Sequence, residues 1–516
     1  MRKSEKRQLF KNVGSSWFSL ATNVVVGVLL SPFILHHLGD AAFGIWVLIF
    51  SITGYYGLFD LGIRSSIVRF VSKFSAVEDT DNLARVINTS FGIYSIIGIL
   101  AMLATLAGTI YVDSIFKIPP QFHSTAQWLL LIVGTSVAVG FPLGVFGGIL
   151  EGLQRFDVLN WTGLGATLLR ALLIVIALKH GHGLLMIAII TTGLPLIGTL
   201  VRAWMAMNLV HVPIGLRYID KATARSMANY SGLSFMIIIS ARLRFQTDEI
   251  VLGTMLSTAA ITQFSIGARI VDYANDVVHG LAQIFVPMSS QSEAKGDMPR
   301  LRKMLIGGNR ACAFVILPIC IVLILLGKAL IEVWVGPKYV SVSYPVLVVL
   351  VIPFTLLLAQ AVSARILIGM GRHRTFGIVT LIEGVANVVL SVLLVRPYGV
   401  FGDAVGTAIP LTCTMLVFIP RHICRVLGVS VWTYLKHAYT LPLLVATPML
   451  LTLLLMRRWF VPHRFLPLML HLAVGGAVYG VGLFWLYAKD HAFRIDESVS
   501  AGNMTLTEDS VLPEHV

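Results

Sequence analysis

Between Arg242 and Pro287 the chain combines long apolar stretches with ionisable residues that a bilayer does not tolerate without a reason. The segment Gln263-Phe-Ser-Ile-Gly-Ala-Arg269-Ile-Val-Asp272-Tyr-Ala-Asn-Asp276-Val-Val-His279-Gly-Leu-Ala-Gln283 is the clearest case. At about 100° per residue, Arg269, Asp272, Asp276 and Gln283 fall in a stripe roughly 60° wide, with His279 just beyond it. Ile270, Val277, Val278 and Leu281 turn away, so the spacing predicts a spanning helix with one wet face. Just upstream, Arg244 and Asp248 stand at i,i+4, and Arg242 and Glu249 stand two turns apart on roughly the opposite side. That helix needs polar neighbours on two faces.

Arginine offers a forked, permanently charged set of donors that suits phosphate oxygens in a low-dielectric setting. Arg170, Arg242, Arg244, Arg269 and Arg365 all fall in apolar windows, in excess of the carboxylates Asp272, Asp276 and Glu383 at similar depth. The excess points to a cationic cavity for an anionic, diphosphate-type headgroup. The competing reading is structural: Arg244 bridging Asp248, Arg269 bridging Asp272 or Asp276, and Arg365 pairing with Glu383 across helices. Asp272, Asp276, Asp248 and Glu383 are candidates for charge balance or for coupling to protons or sodium. Asp60 and Arg64, also at i,i+4, stand near the inner end of the second span as a gate pair or a membrane-edge salt bridge.

The elements that must hold these residues are membrane helices. Of 516 residues, 56% are hydrophobic and only 12% charged, with a mean hydropathy of +0.84, which excludes a soluble domain. A span needs about 20 apolar residues, and such windows recur at short intervals from Val13 to Leu486. The expected fold is an all-α polytopic membrane protein of fourteen transmembrane helices, with twelve as the fallback. The net charge of +14 is scattered through short loops instead of forming one patch, which argues against nucleic acid as a partner. With an inside N-terminus, roughly 25 Lys/Arg fall in inner segments and roughly 8 outside. Arg457, Arg458 and Arg464, between the last two windows, break that bias.

The second half of the chain repeats the first. Asn12-Val-Gly-Ser-Ser-Trp-Phe18 matches Asn229-Tyr-Ser-Gly-Leu-Ser-Phe235, and Gly62 matches Gly280. Gly152-Leu-Gln-Arg-Phe156 matches Gly371-Arg-His-Arg-Thr-Phe376, and Gly181-His-Gly183 matches Gly399-Val-Phe-Gly402, each with one residue inserted. Six spans per copy make the repeat parallel, about an axis along the membrane normal. The predicted organisation is two pseudo-symmetric six-helix lobes, residues 1–215 and 216–430, then two additional helices in 431–490 and an acidic, disordered cytoplasmic tail in 491–516. The apolar window of the twelfth span starts at Val405.

Other chemistries lack their signatures. No Gly-x-x-x-x-Gly-Lys-Ser/Thr loop occurs, since Gly327-Lys328 is followed by Ala, and neither Gly-x-Ser-x-Gly nor His-Glu-x-x-His appears. His36-His37 and His180-Gly-His182 have no partner ligands at metal spacing, and Cys312, Cys320, Cys413 and Cys424 read as packing residues. No catalytic residue, metal site or cofactor is expected. A membrane transferase using scattered carboxylates remains an alternative.

Pro32-Phe-Ile-Leu-His-His-Leu-Gly39 with Phe43-Gly-Ile-Trp46, then Tyr55-Tyr-Gly-Leu-Phe-Asp-Leu-Gly-Ile63 and Arg69-Phe-Val-Ser72, resemble the opening of the polysaccharide-export flippases. Thr247-Asp-Glu-Ile-Val-Leu-Gly253, Phe264-Ser-Ile-Gly-Ala-Arg269 and Phe285-Val-Pro287 are similar to the start of that family's second lobe. The likeness runs from about Asn12 to Arg425 and is greatest to the Wzx-type O-antigen and exopolysaccharide flippases of the multidrug/oligosaccharidyl-lipid/polysaccharide exporter superfamily. It implies a two-lobe, alternating-access transporter that carries a polyprenyl-diphosphate-linked oligosaccharide across a bacterial inner membrane, with both termini cytoplasmic. It further implies a monomer working beside polysaccharide polymerase machinery. Lipid II flippases are similar but carry arginines on the first span, which here has none, and multidrug antiporters favour cations, which the arginine excess opposes. Both stay as alternatives, and the last two helices are expected to guide the lipid tail.

Overall fold

The computed structural model describes residues 3–460 and 462–488, with side chains placed except at 3–17 and 228–237. The acidic tail expected in 491–516 lies outside the described residues. So do the side chains of the matched stretches at 12–17 and 229–235.

Every regular element among the described residues is helical. The first group is α1 (Lys3–Leu38), α2 (Asp40–Gly54), α3 (Ile63–Ala76), α4 (Thr80–Ile115), α5 (His123–Gly152), α6 (Phe156–Lys179) and α7 (Leu184–Val210). After a linker follow α8 (Lys221–Phe245), α9 (Thr247–Met255), α10 (Thr258–Ala282) and α11 (Phe285–Ala294). The rest are α12 (Met298–Trp334), α13 (Val340–Ala359), α14 (Ala361–Gly369), α15 (Arg374–Cys413), α16 (Ile419–Leu427), α17 (Val431–Trp459) and α18 (Phe465–Ala488).

Eleven helical segments are long and apolar enough to cross a membrane, which makes this a multi-pass membrane protein. Helix α9 is only nine residues long, and α10 carries Arg269, Asp272 and Asp276 among its apolar residues, so neither enters that count. One of the eleven, Arg374–Leu427, is too long for a single crossing: 54 residues of helix would reach roughly 80 Å against about 30 Å of hydrocarbon. The chain turns back at Gly399, whose φ of 58° is open to glycine and costly for other residues. The two arms of α15 then run antiparallel, with Ser391 Oγ donating to the Asp403 carbonyl at 3.3 Å and Thr407 Oγ1 to Asn387 Oδ1 at 3.0 Å. Gly181, matched to Gly399 in the repeat, also turns with positive φ. The matched Gly152 and Gly371 regions share a further device. Gln154 and Gly371 are both left-handed, and Arg155 N–H returns to Leu150 O at 2.8 Å as Arg372 N–H returns to Leu367 O at 3.0 Å.

The chain divides into two compact units that are not continuous in sequence. The first takes the chain up to Tyr273 with Trp334–Leu350 and Gly377–Pro410. Ile67, Val71, Ile87, Val145, Ile149 and Leu150 lie at its centre with almost no exposed surface. The second takes Ala274–Val333, Val351–Phe376 and the described chain from Leu411 on. There Leu305, Ile306, Ile366, Leu367, Ile423 and Leu427 close around Asn309. Asn309 donates to Ser363 Oγ at 2.8 Å and Tyr434 Oη at 3.0 Å, and accepts from the Val362 N–H at 3.1 Å. A buried amide so fully bonded reads as a packing device. The four cysteines are free; Cys312 and Cys424 are buried, whereas Cys413 is exposed.

Candidate functional site

The polar centre of the first unit is built where α8 gives way to α9. Gln246, at φ −133° and ψ 0°, interrupts the helix, so Arg244 and Asp248 are not on one continuous turn. The expected Arg244–Asp248 bridge does not form. Arg244 Nε lies 2.6 Å from Glu383 Oε1 instead, with the two side chains 9% and 2% exposed. Glu383 is therefore committed to Arg244. Asp248, freed from arginine, receives the Thr407 hydroxyl at 3.0 and 3.1 Å. Asn387 supports the same hydroxyl and sends its amide towards the carbonyls of Leu243 and Arg244 at 3.4 Å, which ties the first arm of α15 to the helix break.

Two further carboxylates complete this centre. Glu249 accepts from Ser51 Oγ at 3.2 Å, while the same hydroxyl lies 2.8 Å from the Gln246 carbonyl, so the expected Arg242–Glu249 pair is also absent. Asp403 is wholly buried, and neither carboxylate oxygen has a hydrogen-bond partner among the described residues, since Ser391 reaches only its main-chain carbonyl. Tyr55 seals one side, sharing a 2.6 Å hydrogen bond with Thr247 Oγ1 and donating to Arg242 O at 3.3 Å. Two glycines make the approach possible. A Cβ on Gly54 would come within 2.5 Å of the Gln246 amide, and one on Gly57 within 2.7 Å of Arg242 Nη2.

The remaining sequence-predicted residues occupy three settings. Arg269 and Asp272, one turn apart on α10, approach to 3.9 Å with 50% and 46% of their side chains exposed, and Asp276 is on the next turn. In the second unit Arg365 Nη2 lies 2.7 Å from His279 Nδ1, a partner the sequence reading had placed only at the margin of the stripe. Arg170, part-buried on α6, and Arg242, part-buried on α8, have no ion-pair partner among the described residues. The Asp60–Arg64 gate pair is not made. Leu61 and Gly62 are both left-handed and break the turn between them. Arg64 takes Glu151 in a forked pair at 2.6 and 3.2 Å, and Asp60 accepts the Tyr94 hydroxyl.

Asp403 escaped the sequence reading because the apolar window of that span starts at Val405, which left it looking like a loop residue, and Asn387 and Thr407 are uncharged residues inside apolar windows and did not stand out. The available signal was Asn387 and Ser391 at i,i+4 facing Asp403 and Thr407 at i,i+4 across a glycine turn, two polar stripes that fit each other.

A helical multi-pass protein with ionisable side chains gathered inside its helices has the character of a membrane transporter. Residues 9–293, more than half the chain, match the polysaccharide biosynthesis protein family, and the chain belongs to that family. It is similar to the uncharacterized membrane protein EpsK of Bacillus subtilis, at 21% identity over 83% of this chain and 84% of the relative. It is also similar to a putative O-antigen transporter of Shigella flexneri, at 20% identity over 81% and 99%. Among solved structures, the lipid II flippase MurJ in an inward closed conformation shares the fold with a TM-score of 0.68 at 17% identity, over 92% of this chain and 98% of that one.

Proposed function

We propose that the protein flips a polyprenyl-diphosphate-linked oligosaccharide from the cytoplasmic to the outer leaflet of a bacterial inner membrane. Family membership supplies the class. The observation that carries the substrate is the state of the arginines: Arg170 and Arg242 sit part-buried on long helices without a carboxylate partner among the described residues, and Arg269 keeps half its side chain exposed beside Asp272. A guanidinium in a span without a counter-charge is stabilised by an anion, and a diphosphate offers oxygens matched to its fork. Arg170, Arg242 and Arg269 of the first unit receive the diphosphate, and Arg244, held by Glu383, fixes the helix break that presents Arg242. Asp272 and Asp276 balance the charge of the empty site.

Energy comes from a cation gradient. Asp248, Asp403 and Glu249 put three carboxylates beside one Arg–Glu pair, a set that in a low dielectric demands protons or a metal cation. The Asp403 oxygens, unpartnered among the described residues, the Asn387 carbonyl and the Thr407 hydroxyl are the hard oxygen donors that a proton or sodium ion takes. Such an ion supplies the charge neutralisation, and the chain's own residues set which helices it ties together.

We count fourteen crossings when the arms of α15 are taken as two, α8 with the short α9 as one, and α10 as one. Residues 1–215 and 216–430 form two lobes that alternate access. Helices α17 and α18 hold the lipid tail, both termini are cytoplasmic, and the monomer passes its product to the polymerase machinery. Movement of a labelled polyprenyl-diphosphate oligosaccharide across proteoliposomes, with and without an ion gradient, tests this reading. Wild type moves it and Arg242→Gln does not. Dye efflux without movement of the lipid turns the assignment to a drug antiporter, and chemical turnover of the lipid without a gradient turns it to a transferase.

A further inference from the structure

The linker between α7 and α8 is strapped to the start of α4. Asn88, buried on α4, donates to Pro213 O at 2.9 Å and accepts from the Gly215 N–H at 2.8 Å, and Thr89 Oγ1 accepts from the Asp220 N–H at 3.0 Å. Beside this strap lies a groove of about 680 Å³, within the size range of small-ligand sites. Phe91, Gly92 and Ile96 of α4 form one wall and Ile214, Leu216 and Ile219 of the linker the other. Gly92 sets the width, since a Cβ there would meet Ile219 Cδ1 at 3.1 Å.

Two features say what fills it. The groove runs out through Ile96 onto the exposed stripe Ile99, Leu103, Leu106 and Ile110 of the same spanning helix, a face that meets lipid chains. Leu216 on the linker is 86% exposed, a surface that water would not favour. The linker end is cationic: Arg217, which stacks on Tyr218 at 4.7 Å, is followed by exposed Lys221 and Arg225. The nearby Asp220 carboxylate is already occupied, capping α8 through the Thr223 N–H and hydroxyl at 2.7 Å, with Arg85 close enough to favour its ionised form.

We propose that this groove binds one acyl chain of an anionic bilayer phospholipid, with its phosphate on Arg217, Lys221 and Arg225. The bound lipid pins the linker between the sequence halves to α4 at the membrane surface. The occupant is a bulk phospholipid, not the transported polyprenyl lipid, because the cations belong to a segment at the helix ends where headgroups lie, and the groove is continuous with a lipid-facing stripe.

The test uses the full-length protein in nanodiscs containing phosphatidylglycerol with a photoreactive group near the end of one acyl chain, and mapping of the labelled peptides. Labelling is expected to concentrate at 91–96 and 214–219. Gly92→Leu should abolish it, and the paired Arg217→Gln and Lys221→Gln substitutions should reduce it about fivefold per cation removed. The charge variants leave the apolar walls intact, so their result holds even if Gly92→Leu fails to fold. Equal labelling by a phosphatidylcholine probe overturns the headgroup assignment. Labelling there by a polyprenyl phosphate probe and not by phosphatidylglycerol gives the groove to the substrate. Label spread evenly over all lipid-facing helices removes the site altogether.

Discussion

Arg244 and Arg269 look alike in sequence, each an arginine in an apolar setting with an acid one turn on, yet the structure puts them to opposite uses. Arg244 loses its near neighbour to the break at Gln246 and takes Glu383 at 2.6 Å, where both side chains are buried. Arg269 keeps its near neighbour Asp272, but at 3.9 Å and half exposed. A buried pair is expensive to break from one side, because the survivor is an uncompensated charge in a low dielectric. An exposed pair is held weakly and is free to exchange its partner. The first setting suits a fixed strut and the second a group that must let go of one anion to accept another.

That contrast is broken first at the strut. Glu383→Ala strands Arg244 and should lower stability by about 3–5 kcal/mol, read as a fall in the thermal midpoint of the detergent-solubilised protein. Arg244→Met with Glu383→Met together should lose much less, and a double variant as unstable as the single one shows that the pair is not the strut. Next in size is transport. Arg242→Gln and Arg170→Gln should each cut lipid movement about tenfold or more, with the thermal midpoint nearly unchanged, and a parallel loss of both would make these arginines structural. Asp403→Asn, which keeps shape and removes charge, should leave the fold intact and make movement insensitive to the imposed gradient. Retained gradient dependence removes Asp403 from the coupling site. Arg269→Ala should change stability by less than about 1 kcal/mol while slowing transport, and a larger stability loss would put Arg269 with Arg244.

The smallest effect lies outside the membrane, at the caps of α4 and α8. Asp79 accepts from the Asn82 side chain and N–H, and Asp220 from the Thr223 side chain and N–H, and these hydrogen bonds hold both carboxyls below the ordinary carboxylate range. Because the folded form binds the proton less readily than the unfolded form, their stabilisation is complete above the unfolded value near 3.9 and fades as pH falls through the lower folded one. Asp79→Asn should lower the thermal midpoint slightly at neutral pH, where the charged cap is complete, and flatten its fall below about pH 4.

Much of the scaffold was legible in the order of residues. Apolar windows about 20 residues long mark membrane helices because the hydrocarbon thickness sets their length. The matched glycines at 181 and 399 mark places where the backbone adopts left-handed angles that side chains resist, whereas of the matched pair Gly152 and Gly371 only Gly371 does so, the first copy turning at Gln154 instead. The candidate charges were legible too, since an ionisable residue in an apolar window stands out by type alone.

Partner choice was not legible. Each pairing read from helical spacing assumed an unbroken helix, and three pairs failed: Arg244 with Asp248 and Arg242 with Glu249 at the Gln246 break, Asp60 with Arg64 at left-handed Leu61 and Gly62. The true partners Glu383 and Glu151 are far along the chain, and Asp403 entered the centre only because Gly399 folds one arm of α15 back on the other. The sequence by itself determined that this is a helical membrane protein with charges inside its spans, because burial of apolar length is a property of local composition. Only the tertiary structure decided which charge meets which, because a pair is worth most where several helices close around it and exclude water.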